Sequence, residues 1–257
     1  MKKSIFFFCY IAGPLYGILF SSTVVSAQVF SDQLLFLQSQ TQFMTIQSNI
    51  YSNMAKENLE RDNRNRKING AGAGTPVSKQ AAATPGNFRF TPSVQVSAAV
   101  RQSILDQLKK KNPVAGKNLE NALNQKDPFP AYINYLKKAG LDVQHNYADA
   151  FAAYMLGMWR IANGRSADPS AGQIKAVQVQ TAMNLDIAGW SARRKQEAAE
   201  YLIYDLIFAN EPYEASRKGG NQKQMRADSD IVYERFLQQN NLDLRKMQLT
   251  DSGLTRR

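Results

Sequence analysis

Two groups of ionisable side chains in this sequence have spacings that chemistry can use. Asp142, His145 and Asp149 are separated by three and four residues. On a continuous helix that spacing puts all three on one face, an arrangement able to hold a metal ion weakly. Gly140 and Asn146 are residues of a loop and a helix cap, however, and there the same side chains satisfy backbone groups, so no metal site is assigned. Glu197 and Glu200 lie one helical turn apart beside Tyr201 and Tyr204. A glutamate buried in a helical domain is what a lytic enzyme of the cell wall uses to protonate a glycosidic oxygen. Nothing in the sequence marks either residue as a raised-pKa acid at a groove, and exposed helix glutamates are far commoner, so no catalytic residue is assigned.

Other chemistries are excluded or unsupported. His145 is the only histidine, which removes two-histidine zinc sites within one chain and the motif of two histidines flanking a glutamate. No strand leads to a glycine-flanked serine, as a serine hydrolase requires. Gly70, Gly72 and Gly74 lie in a Gly/Ala-rich stretch rather than between a strand and a helix, so no phosphate cradle and no cofactor is expected. Tyr201, Tyr204, Phe208 and Tyr213, near Arg193, Arg194 and Arg217, suggest a stacking and charge surface. Helical spacing instead sends Tyr201 and Phe208 to one core face and turns Tyr204 away. No nucleic-acid motif accompanies them, and no specific nucleic acid is expected.

The elements that must position these residues begin with an export signal. Lys2 and Lys3 precede an uncharged run from Ile5 to Phe20, and Val25, Ser26 and Ala27 have the small side chains read by a signal peptidase. Cleavage between Ala27 and Gln28 is expected, which defines residues 1–27 as a signal peptide. Gly13 and Pro14 interrupt the apolar run, which disfavours an uncleaved anchor, and no later segment reads as a transmembrane helix. Cys9, the only cysteine, leaves with the signal. The 257-residue chain then retains 230 residues without disulfide or thiolate chemistry, and its formal charge falls from +11 to +9 with Lys2 and Lys3 gone. A basic exported chain suits anionic surfaces: an envelope protein, a cell-wall polymer or a membrane face.

Residues 28–60 carry Phe43, Ile46, Ile50 and Met54 on one helical face, without a sustained heptad. Residues 61–86 change character, with Arg61, Arg64, Arg66 and Lys67 followed by Gly/Ala runs and Pro85. Few large apolar side chains are present to offset ordering entropy, so this stretch reads as a basic, disordered linker.

From residue 87 to 254 the pattern is helical, and the expectation is an all-α domain, a single bundle of about six helices. Val96, Val100, Ile104 and Leu108 recur every four residues after Thr91-Pro92-Ser93, and Asn112-Pro113 ends that helix. A short segment with Leu119 and Leu123 precedes Asp127-Pro128, a helix start. Tyr147, Phe151, Tyr154, Met155 and Met158 form the strongest stripe, between Asn146 and Gly164, and mark the central helix. Asp168-Pro169 repeats the start signal. Ser191 opens a helix that Pro212 should end, with Arg193, Arg194 and Lys195 in its first turn opposing the helix dipole. A last helix follows Gly219-Gly220. One extended piece near Phe88–Val96 is conceivable, but nothing offers it a hairpin partner.

Three stretches carry a resemblance: Asn87-Phe88-Arg89-Phe90-Thr91-Pro92-Ser93; Ala148-Asp149-Ala150-Phe151-Ala152-Ala153-Tyr154 through Trp159 to Gly164; and Leu249-Thr250-Asp251-Ser252-Gly253-Leu254. Over Asn87 to Leu254 the chain resembles an exported bacterial domain-of-unknown-function family, family 6683, whose members are led by a signal peptide and a low-complexity linker. The resemblance implies the periplasm of a Gram-negative bacterium, or secretion from it, and supplies no catalytic residue. The sequence therefore points to a non-catalytic binding or interaction protein of the cell envelope, with a cell-wall glycan hydrolase as the alternative.

Overall fold

Between Asn146 and Asn163 only Asp149 and Arg160 carry charge, and a helix that is apolar all round belongs at the centre of a domain. A computed structural model describes residues 88–185, 187 and 189–257 and places that helix there. The expected signal peptide, the 28–60 segment and the 61–86 linker lie outside the described residues. Seven helices follow one another: α1 (Val94–Lys111), α2 (Pro113–Gln125), α3 (Phe129–Lys138), α4 (Tyr147–Ala162), α5 (Ala171–Asn184), α6 (Ala192–Lys218) and α7 (Gln222–Asn240). A 3₁₀ turn, Leu244–Lys246, then leads to strands β1 (Met247–Thr250) and β2 (Gly253–Arg256). The predominantly helical architecture agrees with expectation. The count exceeds six because the short segment around Leu119 is a helix of 13 residues, capped by the Asn112 side chain with Pro113 in its first turn. None of the described helices is long and apolar enough to cross a membrane.

In α4 every residue except Gly157 and Arg160 is buried. The helix packs against α5, α6 and α7, while α1 joins α2 and α6. The α1–α2 contact depends on Gly116. A Cβ there would sit 2.7 Å from both the Cα and the backbone nitrogen of Lys109. Gly116→Ala gains about 1 kcal/mol of helix propensity. The clash is with backbone that cannot rotate away, and overpacking of this kind costs about 1–3 kcal/mol. We expect a net loss of stability in urea denaturation. A variant more stable than its parent would show that the two helices part easily.

Three local readings need correction. Pro212 does not end α6, which continues to Lys218. The turns on either side of the proline are clamped by buried Phe208, Ala209 and Tyr213, and the Tyr213 hydroxyl donates to the Arg165 carbonyl at 3.1 Å. That packing offsets the roughly 3 kcal/mol penalty of an internal proline. The start of α5 is not at Asp168-Pro169 but at Ser170, which forms a capping box with Gln173. Strands were missed altogether: β1 and β2 form an antiparallel hairpin pairing Leu249 with Leu254 and Thr250 with Gly253. The extended piece at the amino end does occur, as a single bridge between Arg89 and Asn146 in which the Phe90 amide donates to the His145 carbonyl at 3.0 Å.

Two buried glutamine amides fasten the ends of the domain in the same way. Gln180 of α5 donates to the Leu254 carbonyl at 2.8 Å and accepts from the Leu254 amide at 2.9 Å. Gln196 of α6 donates to the Ser93 carbonyl at 2.9 Å and accepts from the Ser93 amide at 2.8 Å. Each side chain stands in for the backbone of a neighbouring strand. Gly253, at φ 108°, lies so close to Gln180 Oε1 that an added Cβ would stand at 2.6 Å, so both conformation and space require glycine there.

Candidate functional site

The first candidate group lies where the α3–α4 loop meets α4. His145 Nδ1 is 2.8 Å from Asp142 Oδ1, and Arg89 approaches the other oxygen of Asp142 at 3.9 Å. Asp149, in the first turn of α4, points elsewhere: its Oδ2 accepts from the Asp142 amide at 2.8 Å and its Oδ1 from Gln178 Nε2 at 3.0 Å. Burial raises the pKa of its carboxyl, against those two hydrogen bonds. Asp142 and Asp149 are thus joined through a backbone amide. Among the described residues no three His, Cys, Asp or Glu side chains converge as metal ligands. The geometry is that of a loop held onto a helix start.

The two glutamates part company. Glu197 is half-exposed and pairs with Arg193 Nε at 2.7 Å, the i,i+4 geometry of a surface pair. Together with the stacking of Arg194 on Trp190 at 4.5 Å, this pair supplies partners for the basic first turn of α6. Glu200 is 8% exposed. Its Oε1 accepts from Ser97 Oγ at 2.7 Å and Gln196 Nε2 at 2.8 Å, and its Oε2 has no hydrogen-bond partner. Burial raises its pKa, opposed by those two hydrogen bonds and reinforced by the negative charges of Asp127 and Glu197.

Glu200 lines a cavity of about 40 Å³ together with Phe90, Phe129, Ile133, Val143 and Gln144. At 10–15 Å³ per water centre that space admits roughly three waters, whereas pockets for organic ligands run from about 300 Å³. Oε2 itself is shielded from solvent. The space beside this carboxyl is that of a few waters.

No family model, curated protein or solved structure matches this chain.

The aromatic side chains of α6 lie mostly in the core, as expected. Tyr204, expected to project outward, is buried, stacks on Phe129 with ring centroids 4.5 Å apart, and donates to Asp127 Oδ2 at 3.3 Å. Phe208 and Tyr213 are also buried, and Tyr201 is half-buried. The helix carries aromatic side chains on several faces because α1, α3, α4 and α7 all pack around it.

Two ionic clusters escaped the sequence reading. Arg235 of α7 pairs with Asp205 of α6 at 2.8 Å, both almost fully buried, and Asp205 also accepts from the Tyr154 hydroxyl at 2.7 Å. The signal available in the sequence was one aspartate inside the apolar run Leu202–Phe208, and one arginine beside Phe236. In the second cluster, Arg160 at the end of α4 bonds Glu214 at 2.8 Å and also Asn210, and Arg217 meets Glu214 at 2.7 Å. Burial alone would raise the Glu214 pKa, but the two guanidinium groups hold it below the ordinary carboxylate value. Both clusters tie helices to one another.

Proposed function

We propose that this chain is a non-catalytic binding protein of the Gram-negative cell envelope and a member of the exported family of unknown function that its motifs resemble. Its amino-terminal signal directs it to the periplasm or beyond. The helical domain is the scaffold, and residues 28–86, with their apolar stripe and basic run, supply reach toward an envelope protein or an anionic cell-wall or membrane surface. What supports this reading is the three-part organisation of the sequence, with an export signal and an apolar then basic segment ahead of a helical domain, and the small cavity beside Glu200 counts against the alternative at that residue. The remaining candidate carboxylates support it, since they spend their lone pairs on backbone amides and neighbouring side chains.

The alternative, a cell-wall glycan hydrolase, keeps one observation in its favour: Glu200 is a buried carboxyl with a raised pKa and one unpartnered oxygen. Pull-down of mature protein from its own envelope fraction at low and high salt separates the two. We expect a protein partner retained by the mature chain and lost from a deletion lacking residues 28–86. If purified peptidoglycan is instead solubilised over time, and Glu200→Gln abolishes that turnover, the hydrolase reading replaces this one.

A further inference from the structure

The α5 helix shows apolar character on two sides. Val177 and Thr181 enter the core, while Val179 and Met183 stand 48% and 57% exposed. With Gly172 and Ala176 they fall on one line at spacings of four, three and four, a seam of the kind that receives a second helix. The line covers 12 residues, about 16 Å of helix. No described element lies over these two side chains, but another part of the chain matches them. Phe43, Ile46, Ile50 and Met54 also span 12 residues, at spacings of three, four and four.

The path of the chain favours this match. At its amino end the domain is tied down beside α5: Arg89 meets Asp142, Asp142 is held through its amide by Asp149, and Asp149 is held by Gln178, the neighbour of Val179. The 33 residues between Met54 and Phe88 are rich in Gly and Ala, and a chain of that length and composition spans on the order of 30 Å. That is enough to reach any part of α5 in a domain about 30–40 Å across. A tether of this kind holds its end at an effective concentration of about 1 mM. At that concentration an intrinsic Kd of about 100 µM gives roughly 90% occupancy, whereas a second copy would need far tighter binding to compete at micromolar protein.

We propose that the stripe Phe43, Ile46, Ile50 and Met54 docks on the Gly172–Met183 face of α5 in the same molecule. The proposal deepens the binding reading, on which it rests for the role of residues 28–86: docked, the stripe is withheld, and an envelope partner must draw it away from α5.

Met183 provides the test, because methionine oxidation follows exposure. The mature chain and its Ile46→Asp, Ile50→Asp variant are treated with hydrogen peroxide, and initial oxidation at each methionine is read by mass spectrometry. Met155 and Met158, both fully buried, stay unreacted while the domain is folded and so control for unfolding. We expect Met183 to oxidise at least five-fold more slowly in the parent than in the variant, with a rate that does not change between 1 and 100 µM protein. Equal rates would mean that the stripe does not cover this face. Protection that survives in the variant or grows with concentration would assign the face to a second copy. No envelope component is present, so failure here leaves the pull-down result standing, and failure of the pull-down leaves this result standing.

Discussion

Arg235→Met lowers the unfolding free energy of the helical domain by about 3–5 kcal/mol, the range for removing one partner of a buried ion pair. The guanidinium lies between α6 and α7, with Asp205 at 2.8 Å and the Met158 sulfur at 3.4 Å. Once it is gone, Asp205 keeps only the Tyr154 hydroxyl and faces an apolar interior. At about 2–4 °C per kcal/mol for a domain of this size, the melting temperature falls by on the order of 10 °C. The loss arises from the stranded aspartate rather than from any large net benefit of the pair, so removing both charges restores most of it. Asp205→Leu with Arg235→Met is therefore more stable than Arg235→Met alone, and thermal melts of the two variants and the parent check this. A double variant as unstable as the single one would mean that the cluster shapes the core rather than merely neutralising itself.

That cluster also shows where sequence reading stops. The central helix was legible because nearly every position from Tyr147 to Ala162 is apolar, and such a run has only one place to go. Helix starts at Asn146 and Ser191 were legible because their side chains cap the first turn locally. Pro212 misled because the penalty of an internal proline is local, whereas the packing that outweighs it comes from residues far away in the chain. The hairpin was obscured because strands of four residues leave no room for period-two alternation to declare itself, and its edge is held by Gln180, 74 residues away. The same applies to the candidate site. Glu197 and Glu200 are equivalent in sequence, and only the tertiary arrangement, with Ser97 of α1 arriving over the second, makes one of them a surface ion pair and the other a buried acid.

Seen together, the candidate groups share a theme of fastening. Asp149 fixes the α3–α4 loop, Gln180 fixes the hairpin, and Gln196 with Glu200 fixes the start of α1. Apart from Glu200 Oε2, which has no hydrogen-bond partner, the polar atoms buried for this purpose are engaged in holding the fold together.

The second large effect tests that distinction at Glu200. Gln196→Leu leaves the Ser93 amide without its partner, leaves the Ser93 carbonyl to the Ser97 amide at 3.1 Å, and takes one of two donors from Glu200. At about 1–3 kcal/mol for each buried group left unpaired, we expect a loss of about 3 kcal/mol. Glu200→Gln acts in the opposite direction at neutral pH. The folded protein holds the Glu200 proton more tightly than the unfolded chain does, because the native pKa is raised above its ordinary value of 4.5. Between those two pKa values the native state binds more protons, so stability falls as pH rises through the window, and the full penalty remains above it. A glutamine keeps an oxygen for Ser97 and Gln196 and carries no charge to desolvate. Denaturant unfolding at pH 4.5 and pH 7.5 should therefore show the difference between Glu200→Gln and parent moving in favour of the variant as pH rises. Other titrating groups cancel in that difference. A variant that loses ground at pH 7.5 would mean that the ionised carboxylate is itself a stabilising partner in the native fold.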